Sequence, residues 1–381
     1  MSSKRKILIF TLYFWPGYKA GGPIQSVYNL VSLIKNEFDV KIVCLNHDHN
    51  DGKSYSNVIK NQWNQFNFGS VFYLSMDHFS IYRIAKILYY ETYDVLYLNN
   101  FFNIYFSLLP IFLNKIMAKK RVVLAPRGEL SNVAMTYKKF RKKIILSLLT
   151  SLNFLKTITF QMTSEFEAQE VRKLLPSNVL YIAQNIVRKP EDFKSLRIKS
   201  VNSTKFMYLS RIHPKKNLHV FLNALKTTLW SIELEIIGSI SDQKYWLSCQ
   251  EIIKNLPPNI SIKYSGSIPH NEVVQRIKSA NFYVLLSKNE NFGHTVYEAL
   301  SAGVPVIISD QLPWQDVKQK NAGWCINIED EEDLAKMIEA CVLMDQTTYA
   351  MHQTSAYQYA LDYYTKQSIE IYRKMFGGKN D

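Results

Sequence analysis

Two short stretches carry residue types suited to a phosphorylated sugar. The first is Glu290-Asn-Phe-Gly-His-Thr-Val-Tyr-Glu298, followed by Ala-Leu-Ser-Ala-Gly-Val-Pro. An apolar run ends near Leu286, a loop with Gly293 follows, and a helical pattern begins near His294. The main-chain amides of Phe292, Gly293, His294 and Thr295 then open a helix, where unpaired N–H groups suit an anion or sugar hydroxyls. Glu298 falls about one turn inside that helix, and its carboxylate can accept two hydrogen bonds from a vicinal diol such as a ribose. Glu290 precedes the helix and suits a sugar lying beside the phosphates. Either acid alone reads as an ordinary solvated helix-start carboxylate; the combination is what points to a ligand.

The second stretch is Ser210-Arg211-Ile-His-Pro-Lys-Lys216-Asn217, directly after the apolar run Phe206–Leu209. Arg211 and Lys216 stand on either side of a strand-to-helix turn, where a guanidinium and an ammonium suit a diphosphate leaving group. A basic turn is usually just solvated. Its place at a strand end shifts the reading towards phosphate.

The elements that must position these residues are legible in outline. Apolar runs at Ile7–Phe10, Val40–Leu45, Val71–Leu74, Val95–Leu98 and Val122–Leu124 alternate with helical patterns, the first of them opened by Gly21-Gly22-Pro23. The rhythm restarts after residue 187, with strands at Phe206–Leu209, Leu234–Ile237, Ile260–Tyr264, Phe282–Leu286 and Val304–Ile308. Near-continuous apolar strands separated by helices mean parallel sheets covered on both faces. The expectation is an α/β chain of two doubly wound, Rossmann-like domains, residues 1–186 and 187–362, with a linker near Lys189-Pro190-Glu191-Asp192. Ligands belong at the carboxyl ends of such sheets, so the two domains are expected to face a central cleft.

Length and composition fit this. The chain has 381 residues, 47% hydrophobic and 20% charged, enough for two cores and too apolar for disorder. Its four cysteines are scattered, without the paired spacing of a zinc ribbon or disulfide framework, which fits a reducing cytoplasm. His47-Asp48-His49 lacks the further ligands of a recognisable metal site and reads as a polar loop. The apolar stretch Ile7–Leu12 is too short for a secretory leader. Val95–Asn114 is uncharged over a bilayer-length window, but its asparagines and Pro110 read as strand, turn and apolar helix.

The net charge of +14 is uneven. Residues 1–186 hold 23 Lys and Arg against 11 Asp and Glu, a balance of +12, whereas residues 187–381 hold 23 against 21. Between Lys119 and Lys143 nine cations face one acid, Glu129. The run from Tyr137 to Phe154 places Lys138, Lys139, Arg141, Lys142 and Lys143 ahead of apolar residues at near-helical spacing, so its basic end suits anionic headgroups while Phe140, Ile144 or Leu148 inserts. An ordinary helix with its apolar face turned inward is the equal alternative. No RNP-like or helix-turn-helix pattern accompanies the aromatics, so nucleic acid is not expected as a partner.

Glu290 and Glu298, with seven residues between them, resemble the paired-glutamate signature of retaining glycosyltransferase family 4, whose fold is GT-B. Arg211 and Lys216 match that family's diphosphate clamp. The Gly21-Gly22 loop after the first strand also stands where the family places it. Pro126-Arg127-Gly128-Glu129-Leu130 and Thr163-Ser164-Glu165 resemble a branch found in bacterial surface-polysaccharide pathways. The resemblance implies a nucleotide-sugar donor, UDP-sugar before GDP-sugar, held by the second domain. Glu298 would take the ribose, Arg211 and Lys216 the diphosphate, and Glu290 with the amides of residues 292–295 the sugar and phosphate. Backbone around Ser267 and Ile268 would border the base. It implies no metal or other cofactor, fixed cations stabilising the leaving group instead. It implies retention by front-face attack, with the leaving phosphate oxygen taking the acceptor proton.

On the first domain, the resemblance places Gly21, Gly22, Arg127, Glu129 and Gln161 on the acceptor side. Gln161 stands where many relatives carry histidine, and the usual Pro-Asn-Gly at the domain junction is reduced to Asn185. The amphipathic segment 363–376 is implied to cross back onto the first domain. The expected acceptor is a glycan on polyprenyl diphosphate at the inner face of the cytoplasmic membrane, where the protein would be peripheral. Two other readings remain open: a nucleotide-sugar hydrolase or epimerase on the same fold, and a non-catalytic membrane-associated binding protein.

Overall fold

A computed structural model describes residues 4–377 other than 119, 137, 194 and 195. The chain divides into two compact units. One comprises residues 1–186 with 367–381, the other residues 187–366.

The first unit is built on an eight-stranded sheet. In chain order it contains β1 (Arg5–Thr11), α1 (Gly22–Ile34), β2 (Phe38–Leu45), β3 (Trp63–Phe66), β4 (Gly69–Leu74), α2 (Ser80–Tyr90), β5 (Val95–Asn99), α3 (Leu109–Leu113), β6 (Arg121–Ala125), α4 (Asn132–Thr136), α5 (Lys139–Ser151), β7 (Ile158–Met162), α6 (Glu165–Leu174) and β8 (Val179–Ile182). The spatial order is β3-β4-β2-β1-β5-β6-β7-β8, all parallel except β3, which runs against β4. Two π-helical turns, Ile104–Leu108 and Asn114–Ala118, flank α3. The uncharged segment is therefore a strand, a turn with Asn100 at φ 123° and a helix. Among the described residues no helix is long and apolar enough to cross a membrane.

Alternation along β1 shows how the sheet is covered. Leu8 and Phe10 turn to a core shared with Ile84, Ile87 and Leu88 of α2, Ile111 of α3, and the partly buried Leu146 and Leu149 of α5. Ile7 and Ile9 turn to the opposite core, which holds Val27, Leu30 and Val31 of α1.

The second unit contains β9 (Ser203–Leu209), α7 (Leu218–Ala224), β10 (Ser231–Ile237), α8 (Gln243–Lys254), β11 (Ile260–Tyr264), α9 (His270–Lys278), β12 (Phe282–Leu285), α10 (His294–Ser301), β13 (Val306–Ser309), β14 (Gly323–Ile326), α11 (Glu331–Leu343) and α12 (Gln346–Thr365). Its six strands are all parallel, in the order β11-β10-β9-β12-β13-β14. In both sheets the order reverses beside the first strand, at β1/β5 and at β9/β12. Such a switch point leaves a crevice at the carboxyl ends of the two strands.

The expected helix 363–376 is two helices. Tyr363–Thr365 finish α12, where Tyr363 packs on Phe292, Tyr297 and Trp314. The chain then enters the first unit as α13 (Glu370–Met375). There Phe376 packs edge-on to Phe38 and Tyr97, and the Arg373 guanidinium donates to both carboxylate oxygens of Glu37 at 2.7 and 2.6 Å.

Candidate functional site

The two sequence motifs converge at the β9/β12 switch point. The loop after β9 carries Arg211 and a 3₁₀ turn, Pro214–Lys216; the loop after β12 carries Glu290 and leads into α10. The amide of Lys288 donates to the Lys215 carbonyl at 2.9 Å, tying the loops together. Deeper in, the Tyr283 hydroxyl donates to the Leu209 carbonyl at 3.0 Å and lies 2.6 Å from the Thr295 hydroxyl. One tyrosine on β12 thus fixes the end of β9 and the first turn of α10.

Lys216 Nζ pairs with Glu290 Oε1, which also accepts from the fully buried Ser287 hydroxyl at 2.8 Å. Burial pushes the Glu290 carboxyl up. The Lys216 charge, its hydrogen bond and the Ser287 hydroxyl outweigh that and hold it below the usual carboxylate range. Lys215 is pulled down by burial, and His213 by burial and then by the Arg211 charge. His213 Nδ1 accepts the Lys215 amide at 3.1 Å and so caps the 3₁₀ turn. Arg211 is exposed and forms no ion pair among the described residues.

Gly293 caps α10 at φ 82°, a left-handed conformation that favours glycine. A Cβ there would stand 3.2 Å from Trp314 Nε1, whose N–H donates to the Phe292 carbonyl. The first helix amide bonded back to the cap is that of Val296, so the loop presents a helix start beside Lys216. Phe292 itself is a packing residue, against Trp314 and Tyr363. One turn on, Glu298 Oε1 accepts from His270 Nε2 at 2.8 Å. His270 opens α9, three residues after Ser267. The Ile268 side chain packs on the core, leaving Ser267 and the backbone at the end of β11. The sequence reading missed His270 and Ser287. The histidine is distant from Glu298 in the chain, and only the adjacency of α9 and α10 brings them together.

On the first unit the residues expected on the acceptor side are held by internal hydrogen bonds to different degrees. Gln161 is 1% exposed. Its Oε1 accepts from the Tyr97 hydroxyl at 2.7 Å, and its Nε2 donates to the Ala183 carbonyl at 3.0 Å and points at the Tyr372 hydroxyl of α13. It is a core residue with its amide already used, not a group available to a sugar. Glu129 accepts the amides of Phe101 and Phe102 at 2.6 and 2.9 Å, holding the turn after β5. Arg127, at φ 54°, donates to Asn99 at 2.7 Å, to Asn185 at 2.5 Å and to the Tyr97 hydroxyl at 2.9 Å. It joins the ends of β5 and β6 to the Asn185 retained at the junction.

Gly21 caps α1 at φ 68° with open space around its missing side chain. Asp48, the polar-loop acid, takes the amides of Tyr18, Lys19 and His49, and so positions the loop before Gly21 and Gly22. Glu167, unnoticed in the sequence, accepts the Gly128 and Thr163 amides at 2.7 Å each.

The basic run opens α5. Lys138, Lys139, Arg141 and Lys143 are exposed, whereas Lys142 turns inward, donating to the Ala134 carbonyl at 2.8 Å, and burial lowers its pKa. Lys119 and Tyr137 lie outside the described residues.

Residues 189–358 match the family model "Glycosyl transferases group 1". Over 154 residues the chain is 27% identical to the alpha-monoglucosyldiacylglycerol synthase of Streptococcus pneumoniae, covering 39% of this chain and 35% of that protein. Over 201 residues it is 23% identical to the O-antigen chain mannosyltransferase RfbU of Salmonella typhimurium, covering 49% of this chain and 56% of that one. The alignments thus span from about a third to just over half of these relatives' length. In fold the chain resembles the Anabaena protein HepE, crystallised with UDP and glucose, at TM-score 0.72 and 15% identity over 97% of this chain and 98% of that one. It also resembles sucrose-phosphate synthase of Thermosynechococcus elongatus, at TM-score 0.71 and 15% identity over 98% and 100%. The architecture is GT-B, two parallel-sheet α/β units, and the match to the glycosyl transferases group 1 model falls in the second of them.

Proposed function

We propose that the protein is a retaining, family 4-type glycosyltransferase. It moves a sugar from a nucleotide-diphosphate sugar, UDP-sugar in the first instance, to a glycan acceptor. The observation that carries this reading is the gathering of Arg211, Lys216, Glu290 and the α10 start at one switch point, with Glu298 a turn away. Structural relatives crystallised with UDP and UDP-glucose support the choice of nucleotide.

In this reading Glu298 takes the ribose diol and Ser267 borders the base. Arg211 and Lys216 bind the diphosphate, and Glu290 keeps the Lys216 ammonium aimed at it. The bond from the anomeric carbon to the β-phosphate oxygen breaks while the acceptor oxygen bonds to the same face of that carbon. The acceptor proton passes to the departing phosphate oxygen. The two cations hold the charge that develops there, so transfer proceeds without a metal ion.

The acceptor is a glycan on polyprenyl diphosphate, in bacterial surface-polysaccharide synthesis. The exposed cations Lys138, Lys139, Arg141 and Lys143 support a place at the anionic inner face of the cytoplasmic membrane. The test is a panel of nucleoside diphosphates read by thermal shift, then release of UDP from UDP-sugars with and without acceptor. UDP should raise the melting temperature, and UDP release should depend on acceptor. Rapid turnover without acceptor would make the protein a hydrolase, and no stabilisation by any nucleoside diphosphate would remove the donor site.

A further inference from the structure

Three helices cover one face of the first unit's sheet: α2, the π-flanked α3 segment (residues 104–118) and α5. All three rest their inner sides on the core around Leu8, Phe10, Leu96 and Leu98. They also touch each other. Phe112 stacks on Phe154 just past α5, with ring centroids 5.8 Å apart, and Lys115 Nζ donates to the Asn153 carbonyl at 2.9 Å.

Their outer sides are unusual for a surface that meets only water. Phe140 is 80% exposed, and with Ile144, Leu148 and Leu152 it forms a stripe at four-residue spacing along α5. Tyr82, Tyr89 and Tyr90 stand out from α2, each more than 60% exposed, and Phe112, Ile116 and Met117 stand out from the middle segment. Exposed apolar surface on this scale marks an interaction site.

Charge identifies the occupant. The three segments contain seven Lys and Arg and no Asp or Glu: Arg83, Lys86, Lys115, Lys139, Arg141, Lys142 and Lys143. Lys86, Lys115, Lys139, Arg141 and Lys143 are exposed. Beside the end of α2 a pocket lined by Lys4, Lys6 and Lys120, with Tyr89, Met117 and the acids Glu91 and Asp94, adjoins this face and is of mixed charge. Within the three segments, apolar and aromatic side chains flanked by cations, with no Asp or Glu, match the acyl–headgroup boundary of an anionic bilayer. A second copy of the same face would set cation against cation.

We propose that the whole three-helix face, and not α5 alone, docks on an anionic lipid bilayer, with the tyrosines of α2 and the apolar residues of the middle segment inserted beside the α5 stripe. This deepens the membrane part of the reading above and is independent of the donor chemistry.

The test uses the full chain with vesicles of phosphatidylcholine, with and without phosphatidylglycerol. Two double variants are compared, Tyr89→Ser with Ile116→Ser, and Phe140→Ser with Leu148→Ser. All four side chains are exposed, and UDP-induced thermal stabilisation reports that each variant stays folded. Wild type should bind only the anionic vesicles, and each pair should weaken that binding by about tenfold or more, the weight of a few buried apolar groups. Full vesicle affinity in the Tyr89/Ile116 variant would confine docking to α5 and overturn the proposal. So would failure of wild type to bind while UDP still stabilises it, or a concentration-dependent dimer that either pair abolishes. Vesicle binding that persists when UDP gives no stabilisation would instead sink the donor reading and leave this one standing.

Discussion

His270 Nε2 donates to Glu298 Oε1 at 2.8 Å, from the first residue of α9 to the second turn of α10. The contact occupies one carboxylate oxygen and holds the side chain, leaving the other oxygen for the ribose diol of the proposed donor. His270 is a positioning residue for the proposed ribose contact. His270→Ala should raise the KM for the donor by about tenfold, the weight of one charged hydrogen bond, with little change in kcat. His270→Gln keeps an N–H donor and should recover most of the loss. Equal donor KM in wild type and His270→Ala would contradict the role.

The Lys216–Glu290 pair carries a pH signature. The Glu290 pKa is held below its ordinary value, so the pair stabilises the folded chain above the unfolded carboxylate range. That contribution is lost as pH falls through the lower folded value. Glu290→Gln should flatten this acid-side loss in a plot of melting temperature against pH. An unaltered acid limb would show that the pair does not contribute.

Gln161→Ala separates a core role from an acceptor role. It strands the Tyr97 hydroxyl and the Ala183 carbonyl, so stability should fall by about 1–3 kcal/mol in denaturant titration. The acceptor KM should hold. A large rise in acceptor KM without loss of stability would restore the residue to the site.

Gly293→Ala should cost about 1–2 kcal/mol, because φ 82° is strained for any residue with a Cβ and Trp314 closes the space. Donor affinity should fall with it, since the helix start moves. A fully stable Gly293→Ala protein would rule out this conformation at the cap.

The motifs proposed to bind the donor were legible because each is local. Arg211 and Lys216 lie within seven residues after β9, and Glu290 to Glu298 run from the loop after β12 into the helix that follows it. Parallel strands buried on both faces also announce themselves as apolar runs, which made the two-unit α/β plan readable. What escaped depends on distant contacts. His270 reaches Glu298 only because α9 and α10 pack together, and Glu167 reaches Gly128 across two elements. The resemblance that put Gln161 on the acceptor side carried no sign of the hydroxyl it meets, because Tyr97 lies two strands away. The strands β3, β7, β8 and β14 were missed, β3 being polar in sequence and β14 beginning at a glycine. The break between α12 and α13 had no signal in an amphipathic pattern that runs straight through it.

The central claim is that Arg211 and Lys216 bind the diphosphate of a nucleotide sugar without a metal ion. Calorimetric titration of UDP in the presence of a chelator tests it directly, with wild type, Arg211→Ala and Lys216→Ala compared. Wild type should bind UDP in chelator, and each variant should lose about tenfold or more in affinity, as expected for a charge-assisted phosphate contact. Uridine, which lacks the phosphates, should bind all three alike. Unchanged UDP affinity in both variants, or binding that vanishes on chelation, would contradict the account.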